Sequence, residues 1–152
     1  MDAKSLYSPE NIRIMEKAEW VRRLRKDRVM ELVEFARRSG MKKVGIAYCI
    51  SFGKEAGALQ QVLESEGLTV EKVHCKYGHV AAEELVEGGS GIICNPAGQA
   101  QYLSEQHTEM NIVMGLCLGH DMVFNARSKA PATTFAVKDR QHQHQPLQGL
   151  PR

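Results

Sequence analysis

A chain of 152 residues with 43% hydrophobic and 25% charged residues has the make-up of one ordinary globular domain. That length buries roughly 68–70% of the unfolded surface, so neither a disulfide nor a metal is needed merely to hold a core. The net charge of +2 gives no specific nucleic-acid signal, no apolar run approaches the ~20 residues of a membrane span, and the polar start is unlike a signal peptide. The expected setting is cytoplasmic, with the four cysteines as thiols or ligands instead of a disulfide framework.

In chain order, Ser8-Pro9-Glu10 is a helix start: a hydroxyl cap, a proline at the first helical position and a carboxylate in the first turn. Helical spacing continues to Arg38, with a break near Arg25-Lys26-Asp27, and Gly40 is the stop. This segment carries a basic excess, eleven Lys/Arg against five Asp/Glu from Arg13 to Lys43. Lys42 to Tyr48 reads as a buried strand ending at Cys49, and Lys54 to Glu66 as a helix closed by Gly67. Leu68 to His74 is a second strand, ending at Cys75. Val80 to Glu87 is a short helix or irregular. Gly91-Ile92-Ile93 is a short strand ending at Cys94, and Asn95-Pro96 caps a helix reaching Glu105. Ile112 to Leu116 is a strand ending at Cys117, followed by a helix over Asp121 to Ala126. Pro131 to Val137 is a β-branched final strand.

Alternating strands and helices predict an α/β fold: a three-layer, Rossmann-like or flavodoxin-like, mostly parallel sheet of about five strands with an N-terminal helical extension. The expected organisation is a single domain over 1–152. It comprises a helical segment at 1–40, an α/β core at 42–140 and a tail at 141–152.

All four cysteines, Cys49, Cys75, Cys94 and Cys117, fall at or just past the carboxyl end of a predicted strand. In a parallel sheet those ends share one edge, where such folds carry their chemistry. Helices begin after Cys49, Cys94 and Cys117, and helix N-termini favour thiolates, the ligating and nucleophilic form. Several thiolates at one edge suit zinc or an iron–sulfur cluster, although no C-x-x-C pair supports standard zinc-finger spacing. The plain alternative is four separate buried thiols. Cys117-Leu-Gly-His120 also reads as a nucleophile with its base. Lys138-Asp139-Arg140 follows the last strand, so two cations point at the same edge. There they would hold a small anionic substrate, with Asp139 orienting them.

Several stretches resemble the domain-of-unknown-function 1847 family: Gly45-Ile-Ala-Tyr-Cys49, Cys94-Asn95-Pro96…Gln99-Ala100, Gly115-Leu-Cys117-Leu-Gly-His120-Asp121 and Val137-Lys-Asp-Arg140…His144-Gln-Pro146. The resemblance covers roughly residues 28 to 146. It implies a cysteine-based metal site with no settled reaction. Cys49, Cys94, Cys117, His120 and His144 sit where the family's motifs place them, and Cys75 matches less closely.

Three readings follow. In the first, Cys49, Cys94 and Cys117 bind a metal ion or iron–sulfur cluster with Cys75 or His120 as fourth ligand, Lys138, Arg140 and His144 serve a bound group, and redox or sulfur-handling chemistry fits. In the second, a metal-free thiol enzyme uses Cys117 with His120. In the third, the basic N-terminal helix is a non-catalytic interaction module. Metal content separates the first from the others, and a single reactive thiol marks the second. The sequence is silent on oligomeric state.

Overall fold

A computed structural model describes residues 2–151, which form two compact units, divided between Lys42 and Lys43. In the first, α1 spans Pro9–Arg23 and α2 spans Arg28–Ser39. The Ser8 hydroxyl accepts from the Asn11 amide at 3.1 Å while the Asn11 side chain accepts from the Ser8 amide at 3.2 Å, a reciprocal cap. The predicted break is real: Arg25 has φ 50 and Asp27 starts α2 by accepting from the Met30 amide at 3.0 Å. Gly40, at φ 71, ends α2, with the Met41 amide returning to the Ala36 carbonyl at 2.9 Å.

The second unit is a parallel α/β sheet. Its elements are β1 (Lys43–Tyr48), α3 (Gly53–Ser65), β2 (Thr69–His74), α4 (Pro96–Glu105), β3 (Met110–Met114), α5 (Leu118–Arg127) and β4 (Ala132–Ala136). The strand order is β2-β1-β3-β4, with every pairing parallel. Strands β1 and β3 are central, so both their faces are covered: Val44–Ala47 and all of β3 are buried, and Asn111 is the one polar residue among them. The edge strand β2 buries only Val70 and Val73, and β4 is half-buried throughout. Helices α4 and α5 pack against each other. With right-handed crossovers this layer covers one face and α3 the other.

Two expectations need correction. The sheet has four strands among the described residues, not about five. Gly91–Ile93 does not join it: Ile92 forms an isolated antiparallel bridge to Ala81, with the Ala82 amide on the Gly91 carbonyl at 2.8 Å and the Ile93 amide on the Val80 carbonyl at 3.0 Å. The physical reason is the connection. A parallel strand needs a crossover of a dozen or more residues, usually a helix. Here the chain between Cys75 and Gly91 folds back on itself through Gly88 and Gly91, both at positive φ. The last helix also starts earlier than Asp121, at Leu118, so that Cys117 is its N-cap residue. The final strand is parallel, with α5 as its crossover, as the sequence predicts.

Candidate functional site

Parallel strands bring their carboxyl ends to one edge, and the backbone there ties the thiol-bearing turns together. The Cys49 amide donates to the Met114 carbonyl at 3.0 Å, linking the end of β1 to that of β3. The Gly115 amide donates to the Ala136 carbonyl at 2.7 Å, linking β3 to β4. The Asn95 amide donates to the Cys75 carbonyl at 2.7 Å, which returns Cys94 to the end of β2 although no strand precedes it. All four cysteines are free. Cys49 is 8% exposed and Cys75 2%, whereas Cys94 and Cys117 are half-buried.

Lys138, just past β4, reaches across the edge. Its Nζ donates to Cys49 Sγ at 3.3 Å and to Ser51 Oγ, and it lies 4.7 Å from the centre of the Phe52 ring. The Ser51 hydroxyl itself donates to Cys49 Sγ at 3.3 Å. Burial pushes the Cys49 thiol up, but the Ser51 hydroxyl and amide together with the Lys138 ammonium outweigh it and bring it down to about 7. Cys75 goes the other way. Burial raises it to about 11, reinforced by the nearby Cys94 thiol and the charges of Cys49 and Cys94, against a lowering by the Ile50 amide that donates to its sulfur at 3.5 Å.

Cys117 has a different neighbour. Arg140 Nη2 donates to its sulfur at 3.7 Å. Among the described residues no hydrogen bond joins it to His120, which is half-buried on the first turn of α5. His144 comes back to the edge: its ring sits 4.6 Å from that of Phe52, and its Nδ1 accepts from the Asp139 amide at 3.0 Å, which leaves the ring proton on Nε2. Asp139 builds that loop. Its carboxylate accepts from the amides of Gln141 and His142 and from the His142 ring, each at 3.0 Å. These bonds hold Gln143 and His144 in left-handed backbone, φ 50 and 65.

The structure thus gathers Cys49, Lys138 and His144 around Phe52, sets Arg140 on Cys117, and makes Cys75 the common neighbour of Cys49 and Cys94. It does not gather Cys49, Cys75, Cys94, Cys117 and His120 as one ligand shell. Among the described residues no three His, Cys, Asp or Glu side chains form a group that could hold a metal ion.

Three residues were given no role in the sequence reading. Ser51 is the hydroxyl two places after Cys49, and that i, i+2 spacing was its signal. Phe52 is the buried platform under Lys138 and His144. Gln99, fully buried on α4, donates its amide to the carbonyls of Tyr48 at 3.2 Å and Val73 at 2.9 Å, tying the ends of β1 and β2 to that helix. A glutamine on the apolar face of a helix was the clue to it.

A family profile described as "Protein of unknown function (DUF1847)" matches residues 1–135. An uncharacterized protein of Methanocaldococcus jannaschii is 39% identical over 143 residues, covering 89% of this chain and 74% of the relative. The profile match takes in all four cysteines and His120, while Lys138, Arg140 and His144 lie beyond it. With most of its length matched, from the N-terminal helices to the last strand, this chain belongs to the DUF1847 family.

Proposed function

We propose that this chain is a thiol-dependent redox or sulfur-handling protein whose reacting atom is Sγ of Cys49. The observation that carries the reading is the pair of donors on that sulfur, Lys138 Nζ and Ser51 Oγ, both at 3.3 Å. Donors and a cation favour the thiolate over the thiol, and the thiolate is the nucleophile. A thiol poised near ambient pH keeps most of its intrinsic nucleophilicity while being substantially ionised, the best compromise for attack on sulfur. The Lys138 ammonium can then protonate a departing group. The second cation, Arg140, makes a small anionic substrate the chemical fit.

Topology supports the same place. The order β2-β1-β3-β4 is the first part of the flavodoxin-like order, in which ligands sit beyond the carboxyl ends of the strands where the order reverses, between β1 and β3. Cys49 follows β1 and Cys117 follows β3. The Cys117–His120 dyad lacks the bond that this reading has at Cys49.

The test is the pH dependence of reaction with dithionitrobenzoate, an anionic aromatic disulfide, in anaerobically prepared protein whose metal content is measured alongside. A fast phase with a midpoint near pH 7, lost in Cys49→Ser and kept in Cys117→Ser, is expected. Stoichiometric metal that Cys49→Ser releases, or a fast phase belonging to Cys117, would overturn the assignment.

A further inference from the structure

Three thiols are left over once Cys49 is given its role, and one of them, Cys75, is almost wholly buried. We propose that Cys75 and Cys94 are the resolving half of a three-thiol relay: a disulfide substrate opened by Cys49 ends as a Cys75–Cys94 disulfide on the protein. This rests on the Cys49 reading above and extends it.

The first support is register. Tyr48 pairs with His74 across β1 and β2, so the next residues, Cys49 and Cys75, stand abreast at the ends of neighbouring strands. Adjacent strands lie about 4.7–4.9 Å apart, inside the roughly 4.4–6.8 Å Cα separation that a disulfide spans. The Cys75 sulfur leans toward β1, since it accepts from the amide of Ile50, the residue after Cys49, at 3.5 Å. The second support is the loop 76–93. It leaves from Cys75 and returns at Cys94, and its ends are clasped by the Asn95 amide on the Cys75 carbonyl at 2.7 Å. Lys76 Nζ on the Ile92 carbonyl at 2.5 Å adds to the clasp. The Cys94 thiol is near enough to Cys75 to help hold its thiol un-ionised. The third support is exposure. Cys75, at 2%, cannot meet a substrate, while Cys94 is half-buried and reachable. The sulfurs therefore form a row with Cys75 in the middle, which suits exchange along the row.

The steps balance. The Cys49 thiolate attacks one sulfur of R–S–S–R. The S–S bond breaks and R–S⁻ leaves with the electron pair, giving Cys49–S–S–R. That neutral adduct no longer opposes ionisation of Cys75, which gives its proton to the departing thiolate and attacks Cys49 Sγ, expelling the second R–S⁻. Cys94 then loses its proton to that thiolate and attacks Cys75 Sγ, which restores the Cys49 thiolate. The substrate gains two electrons and two protons, and two protein thiols become one disulfide. An external dithiol reaching Cys94 reduces it back.

The experiment uses the full chain carrying Cys117→Ser, less than one equivalent of dithionitrobenzoate, and a disulfide map by mass spectrometry after acid quench. The relay predicts about two thionitrobenzoates released per reagent and a Cys75–Cys94 disulfide with Cys49 free. Adding Cys94→Ser should stop the row at Cys49–Cys75. Adding Cys75→Ala should leave the adduct on Cys49, with release halved. The parent protein's map needs no core substitution, so it decides the matter even if Cys75→Ala fails to fold. A Cys49 adduct that persists with Cys75 and Cys94 both alkylatable would overturn the relay alone. No release dependent on Cys49 would instead remove the reading beneath it.

Discussion

Cys49 and Cys75 are the same residue type at equivalent places, one after each of two neighbouring strands, and their environments drive them apart. Both are almost fully buried, which by itself disfavours a thiolate. Cys49 also receives an ammonium and a hydroxyl, while Cys75 receives one amide and two thiols. Lys138 is the one cation among these donors, so its loss tests the charge at the site. Lys138→Met, which keeps the stem over Phe52 and removes the charge, should raise Cys49 from about 7 while the Ser51 hydroxyl and amide still hold it below the ordinary thiol range, and slow its neutral-pH alkylation roughly several-fold. Thiolate absorbance followed over pH measures it. Lys138→Arg should restore part of the shift, whereas a purely steric role would leave the profile of both variants unchanged. The cysteines and Lys138 were legible in the sequence because strand ends and charge are one-dimensional features. Which cation meets which sulfur was not, because that depends on how far each loop reaches across the edge.

At the scale of elements, the turns after β1 and β3 lock together through Phe52 and Gly115. Gly115 has φ 65, and a Cβ there would strike the Phe52 ring. Gly67, at φ 87, meets nothing within 4 Å. Gly115→Ala should thus pay both left-handed strain and overpacking, about 2–4 kcal/mol, against about 1–2 kcal/mol for Gly67→Ala. Chemical denaturation compares them. Because Phe52 also carries Lys138 and follows Ser51, only Gly115→Ala should raise the Cys49 pKa. Equal costs and an unmoved pKa would show that the two turns are not coupled. Periodicity exposed most elements, including the capped starts at Ser8 and Asn95 and the break before α2. It misplaced Gly91–Ile93, because an apolar triplet carries the same local signal whether it pairs with a sheet or with its own preceding loop. It also started α5 late, because Cys117 caps through its backbone conformation with no side-chain bond.

For the whole molecule the two shifted thiols give stability a pH dependence of mixed sign. Cys49 is depressed from 9.0 to about 7, so its contribution is fully present above pH ~9 and is lost as pH falls through ~7. Cys75 is raised from 9.0 to about 11, so above pH ~9 the unfolded chain ionises first and stability declines toward pH ~11. The thiol contribution should peak near pH 9, rising by about 1–3 kcal/mol from pH 7 and falling by a similar amount beyond. Urea unfolding should lose the rise in Cys49→Ala and the decline in Cys75→Ala. A flat profile between pH 7 and 9 in the parent protein would speak against the Cys49 environment.

The most direct measurement is a site-resolved titration: brief alkylation of the reduced protein at successive pH values, with each cysteine quantified by mass spectrometry. The account predicts that Cys49 half-reacts near pH 7, that Cys75 stays protected past pH 9, and that Lys138→Met moves the Cys49 midpoint upward while leaving the others in place. If Cys49 titrates like an ordinary thiol, or if Cys117 is the cysteine with the low midpoint, the assignment of the reacting sulfur is wrong.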